Sequence, residues 1–167
     1  MSAARLNPLE TAPEGAAALM AVEAYLARSG LDRGLMELVK MRASQINGCA
    51  YCLDMHSRDA RRRGETEQRL YLLDGWRESS LYTARERAAL AWTEAVTKIA
   101  ETHAAGADYA ALRKAFNDKE VVDLTILVGM INLWNRLAIS FRTPHPVAAG
   151  APGNAANAPP AGRAPPE

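Results

Sequence analysis

The stretch Glu37-Leu-Val-Lys-Met-Arg-Ala-Ser-Gln-Ile-Asn-Gly-Cys-Ala-Tyr-Cys-Leu-Asp-Met-His56 reads as the end of one helix, a stop, and the start of another. Leu35, Leu38, Val39 and Ile46 recur at helical spacing, which predicts a helix over about 32–46. Asn47-Gly48 then ends it, because both residues tolerate the left-handed backbone that closes helices. The next helix is expected to begin at about Cys49 and to run to Arg63, with Gly64 closing it.

Outward from this pair the same grammar repeats. Toward the N-terminus a helix over about 13–27 has Pro13 in its first turn and Gly30 near its end, preceded by an irregular opening dozen residues. Toward the C-terminus a short helix covers about 65–73, followed by an Asp74-Gly75 turn. Thr83 with Glu86 three residues on forms a capping box that starts a helix over about 84–102. A short helix over about 107–116 precedes a long one over about 119–141. There Val121, Leu124, Leu127, Val128, Ile131, Trp134, Leu137, Ala138 and Phe141 recur at three and four. That last helix is apolar over more than one stripe, which places it at the centre of a bundle or at a subunit interface.

Seven of the nine prolines fall in residues 143–167, mixed with Ala and Gly. Such a segment has too little apolar bulk to offset the entropy of ordering, so 143–167 is read as a flexible tail. The expectation is one all-α domain over 1–142, a bundle of six to seven helices, with no strand alternation or repeat.

Composition narrows the function. Of the 167 residues 49% are apolar and only 6% aromatic, and Ala and Leu dominate, which favours packed helices over sheets. A net charge of +1 provides no overall attraction for nucleic acid or an anionic membrane. Arg61-Arg62-Arg63 is flanked by Asp59 and Glu65 and reads as a solvated helix end opposing the helix dipole. No run approaches the ~20 uninterrupted apolar residues of a membrane span. The first 20 residues, with Glu10, Pro13 and Glu14, lack the pattern of a signal peptide. A cytoplasmic location is therefore expected, where a stable structural disulfide is unusual.

Against that background the two cysteines stand out. They are the only ones in the chain, three apart in Cys49-Ala50-Tyr51-Cys52, with His56 four residues later. At about 100° per residue, 49, 52 and 56 share a helix face about 60° wide. A helix N-terminus directs N–H groups and partial positive charge at its first residues, favouring the reactive thiolate. His56 is placed to take a proton from Cys52 across one turn, and Cys-x-x-Cys spacing lets an oxidised sulfur close to a disulfide. The competing readings are small core residues, a structural disulfide closing a trivial loop, and a zinc site using Cys49, Cys52 and His56 with a fourth ligand. His103 and His145 provide no second ligand cluster for the zinc site. Glu37 by itself reads as a surface ion-pair partner of Lys40 or Arg42. Asn132, Asn135 and Arg136 read as buried or interface polar groups, and Trp76, Trp92 and Trp134 as core or interface anchors rather than substrate platforms.

Glu37, then Cys49, Cys52 and His56, resembles the core motif of the alkylhydroperoxidase AhpD-like proteins of the carboxymuconolactone decarboxylase superfamily. The segment Ile131-Asn-Leu-Trp-Asn-Arg-Leu-Ala-Ile is similar to that family's final helix, and the likeness covers roughly 6–144. The resemblance implies an all-helical homo-oligomer, a trimer or hexamer, whose redox-active members reduce hydroperoxides. It implies Cys52 as the peroxidatic thiol, Cys49 as the resolving thiol, His56 as base and Glu37 as the group that orients it. It also implies a Cys49–Cys52 disulfide regenerated by a dithiol donor, a thioredoxin-like or lipoyl-type protein, with no bound metal or flavin. Tyr51 stands where the family's peroxidase member has His between the cysteines, which removes part of that relay. A lyase of the decarboxylase branch acting on a lactone acid, and a non-enzymatic redox sensor, are the alternative functions.

Overall fold

The computed structural model describes residues 3–147, and all regular structure among them is helical. The order is α1 (Pro8–Thr11), α2 (Pro13–Leu26), α3 (Arg33–Asn47), α4 (Ala50–Arg62), α5 (Glu67–Tyr71), α6 (Ala84–Thr97), α7 (Ile99–Thr102), α8 (Gly106–Ala115) and α9 (Asp118–Phe141). The all-α expectation holds, and two single-turn helices raise the count above the expected seven. The opening residues are not irregular throughout: Asn7 caps α1 by accepting from the Leu9 N–H, and Pro8 occupies its first turn. The helix expected over 84–102 breaks at Lys98. There the Thr102 hydroxyl donates to the Ala95 carbonyl at 2.6 Å, satisfying an acceptor near the break.

Both long helices with capping boxes begin where their side chains dictate. Thr83 and Glu86 close the box of α6, and Asn117 and Glu120 close that of α9. The stop at Asn47-Gly48 is a left-handed cap, with Gly48 at φ 69° and its N–H donating to α3 carbonyls. The last helix ends at Phe141 with Arg142 as its left-handed cap, and 143–147 follow without helix. The remainder of the predicted tail, 148–167, lies outside the described residues.

The bundle is organised on α3 and α9. The latter packs against α2, α3, α4, α6 and α8, which confirms its central position. Its Leu124, Leu127 and Val128 are fully buried with Val39 and Met36 of α3, Leu26 of α2 and Leu112 of α8. Each such aliphatic side chain contributes about 1.5–3 kcal/mol on leaving water. By length and composition α9 would suffice to cross a membrane. The bundle covers part of its apolar surface, and Asp123 interrupts it, buried and accepting from the Tyr25 hydroxyl at 2.6 Å. A second core, with Leu38, Leu73, Trp76 and Leu90, fills the space between α3, α4, α5 and α6. A third and smaller cluster joins Cys49 and Cys52 to Ala43, Ile131 and Ala138, where α3, α4 and α9 meet.

Candidate active site

The turn at Gly48 delivers Cys49 to the mouth of α4. Cys49 is the N-cap rather than the first helical residue, with φ −85° and ψ 94°. Only Cys52 and His56 therefore share a helix face within α4. Cys49 joins them because its extended backbone swings its sulfur over the first turn, and the two Sγ atoms lie 2.7 Å apart. Both cysteines are free and buried.

Two thiols so close share protons unequally. The Cys49 thiol is lowered to about 7, first by the hydrogen bond from Cys52, against the opposing cost of burial. The N–H groups of Cys52 and Tyr51 at the helix start, and the Asn135 side chain, add to the lowering. The Cys52 thiol is pushed up, first because its proton is the one held by Cys49 and then by burial. The sequence placed the activated sulfur at Cys52 beside His56; the hydrogen bond from Cys52, with the N–H groups at the helix start, favours charge on Cys49. Among the described residues no hydrogen bond joins Cys52 to His56.

His56 is bound elsewhere. Its Nδ1–H donates to Glu37 Oε2 at 2.9 Å, and both side chains are buried. This is the pairing that the motif implied. Glu37 is not the surface ion-pair residue that its sequence neighbours alone suggest, although Lys40 Nζ does lie 4.0 Å from it. Arg42 turns away to Glu94 and Asp74. Burial pushes the Glu37 carboxyl up, yet the His56 hydrogen bond and the charges of Lys40 and Arg63 outweigh it and hold the group below its ordinary value. Arg63, read from sequence as part of a solvated basic run, approaches Glu37 to 3.8 Å, whereas Arg61 and Arg62 pair with Glu67 and Asp59. An ionised Glu37 fixes the proton on Nδ1, which leaves Nε2 as the nitrogen free to act.

Cys52 and His56 open onto a pocket of about 760 Å³, with Tyr51 and Met55 beside them. Trp134 and Leu137 of α9 form an apolar wall, and residues 4–9 form another. The N-terminal segment is tied to the end of α9 by the Arg5 N–H donating to the Phe141 carbonyl at 3.0 Å. Its guanidinium also donates to the Ser140 carbonyl at 3.1 Å. Trp76 and Trp92 are core anchors as expected, but Trp134 belongs to the pocket, where its indole N–H donates to Glu23 at 2.8 Å. Lys40 lies between Glu23 and Glu37, 4.0 Å from each.

Ligand atoms of Glu37, His56 and Asp59 lie within 4.8 Å of one another, near enough to hold a cation. Lys40 and Arg63 already place positive charge on Glu37, which opposes a metal there. The zinc set considered from sequence, with both sulfurs and His56, is not assembled among the described residues.

What sequence reasoning missed is the surrounding polar set: Lys40 and Glu23 at the pocket beside Glu37, and Asn135 behind the sulfurs. Only Asn135 left a signal, as a polar residue on the most apolar helix. Comparison with known proteins agrees with the geometry. The pattern of the carboxymuconolactone decarboxylase family matches residues 13–95. The uncharacterized protein YdfG of Bacillus subtilis (strain 168) is 42% identical over 137 residues, which is 82% of this chain and 93% of that protein. A protein of unknown function from Agrobacterium tumefaciens, proposed to be an antioxidant defence protein AhpD, has a crystal structure that superposes with a TM-score of 0.85. That match is at 48% identity over 87% of this chain and all of that one. An uncharacterized peroxidase-related protein with an alkylhydroperoxidase AhpD core, from Ralstonia eutropha JMP134, gives 0.73 at 25% identity over 83% and 74% of the two chains. The chain belongs to the carboxymuconolactone decarboxylase family and has the helical fold of its AhpD-like members.

Proposed function

We propose that this protein is a thiol-dependent peroxidase that reduces hydroperoxides through Cys52 and Cys49. The observation that carries the reading is a sulfur pair 2.7 Å apart whose Cys52 member faces the same pocket as His56. Proton transfer from Cys52 to Cys49 across that contact exposes a Cys52 thiolate toward the pocket. The thiolate attacks the distal peroxide oxygen: an S–O bond forms, the O–O bond breaks, and the alkoxide leaves as alcohol with a proton relayed by His56. The Cys49 thiol then attacks the Cys52 sulfenic acid, forming the disulfide and releasing water. An external dithiol, of thioredoxin or lipoyl type, returns the two electrons by thiol–disulfide exchange and is itself oxidised to a disulfide.

Treating the reduced chain with an organic hydroperoxide and then counting thiols and measuring mass tests this. Both thiols are lost together and the intact mass falls by two hydrogens. With a dithiol present, wild type turns over peroxide and Cys52→Ser does not. Equal peroxide consumption by Cys52→Ser and wild type sinks the reading, and disulfide formation without turnover leaves a stoichiometric sensor in its place.

A further inference from the structure

The final helix carries polar residues that the redox steps leave unused. Asn135 is only 1% exposed. It lies four residues after Ile131 and three before Ala138, on one face of α9. Ile131 and Ala138 pack with Cys49 and Cys52, so that face presents Asn135 to the sulfur pair.

Which end of the Asn135 amide faces the sulfurs is decided by a chain of bonds with one possible sense. Arg136 Nη1 can only donate, and it meets Asn132 at 3.1 Å, so the atom there is Oδ1. The Val128 carbonyl can only accept, and Asn132 Nδ2 donates to it at 2.9 Å. The Asn132 oxygen therefore takes a donor from Asn47, whose Nδ2 lies 2.9 Å away. The same Nδ2 donates to Asn135 at 2.8 Å, and Asn135 must present Oδ1 to it. The NH2 of Asn135 is thereby turned away, and one of its N–H groups goes to Ser44 Oγ at 3.0 Å. The other is taken by no acceptor among the described residues, on the face that Ile131 and Ala138 bring against the sulfurs.

We propose that Asn135 is the thiolate-holding residue of this centre, its second N–H stabilising negative charge on the sulfur pair, with the Arg136–Asn132–Asn47 chain fixing that amide in orientation. The assignment deepens the peroxidase reading of the same site and rests on it for its role, but its test involves no peroxide. The Asn135 side chain favours ionisation of both cysteines, as a neutral donor does for a charge that it faces. The charged and titratable groups around the centre are His56, Asp59 and Tyr51 of α4 with Arg63 at its end, Glu37 and Lys40 of α3, Glu23 of α2, Arg136 of α9 and Arg5 of the N-terminal segment. All are retained in the variants below, so a moved thiol titration reports the amide.

The experiment titrates the reduced full-length chain by thiolate ultraviolet absorbance and by the rate of iodoacetamide alkylation against pH. Asn135→Ala raises the lower thiol pKa by about one unit, roughly a tenfold loss of thiolate below that pKa. Asn47→Ala, at a half-buried position, frees the amide to rotate and raises the pKa in the same direction by less. Ser44→Ala removes the other acceptor of the Asn135 amide and separates a merely structural role: it lowers Tm and leaves the thiol pKa in place. An unmoved lower thiol pKa in folded Asn135→Ala overturns the proposal, as does an unmoved one in Asn47→Ala where Asn135→Ala does not fold. A Ser44→Ala shift equal to that of Asn135→Ala overturns it too. Variants that show these shifts beside a wild type that turns over no peroxide support Asn135 as thiolate holder and remove the peroxidase reading instead.

Discussion

At the scale of single residues, the site holds buried ionisable groups whose charge is set by their neighbours. Glu37 is the clearest case, because its carboxyl is buried and yet lies below its ordinary value of 4.5. A carboxyl depressed in the folded state contributes stability that is fully present above its unfolded pKa. That contribution is lost as pH falls through the lower, folded pKa. Glu37→Gln removes this dependence. The variant is less stable than wild type at neutral pH by about 1–3 kcal/mol, the worth of a hydrogen bond to a charged group. The gap narrows below pH 4.5 and closes only once pH has fallen through the lower, folded-state pKa, under which the wild-type carboxyl is also neutral. Tm measured from pH 7 down to 3 checks it, and a gap that is constant over that range counts against an ionised Glu37. The residue types at 37, 49, 52 and 56 were legible from spacing and motif. The division of protons between the sulfurs was not, because it depends on where Cys49 sits relative to the helix start, and a cap and a first-turn residue look alike in sequence.

At the scale of elements, the helix ends were legible where a side chain or glycine decides them. The capping box at Thr83 and the stop at Gly48 are local chemistry, and the structure repeats them within a residue or two. The break at Lys98 was missed, since nothing between Ala84 and Thr102 is a Pro or Gly and the apolar period runs on through it. Its partners, such as Thr102 reaching back to Ala95, are visible only once the chain has turned. Gly48 is the element that matters most for the site, because it sets the angle at which α4 offers Cys49. It stands at φ 69°, and a Cβ there would meet nothing within 4 Å. The penalty for a side chain is therefore purely of backbone origin, about 1–2 kcal/mol. Gly48→Ala should lower the unfolding free energy by that amount, read as a lower denaturant midpoint at an unchanged m-value, and Gly48→Asn should recover part of the loss. A midpoint equal to wild type in Gly48→Ala would mean that the cap is not left-handed in solution.

At the scale of the whole molecule, the pocket is built from segments far apart in the chain, and for that reason composition and periodicity could not show it. Met20 and Glu23 come from α2, Cys52 and His56 from α4, Trp134 and Leu137 from α9, and the remaining wall from residues 4–9. An opening segment with a Pro, an Asn cap and few apolar residues gives no sequence sign that it lies across a reactive thiol. What holds it is modest: one backbone hydrogen bond from Arg5 to Phe141, the Arg5 guanidinium on Ser140, and the single turn of α1. A segment held by so few contacts opens locally at far lower free energy than the core, so it limits access to Cys52 without contributing much to global stability. Removing residues 1–9 should therefore leave the unfolding midpoint nearly unchanged while alkylation of Cys52 by a bulky maleimide becomes several-fold faster. Small iodoacetamide, which needs less room, should gain less. The comparison of the two reagents separates an opened wall from a changed thiol, since a shift in thiolate fraction would accelerate both equally. Equal acceleration, or none, would mean that the N-terminal segment does not cover the sulfur in solution.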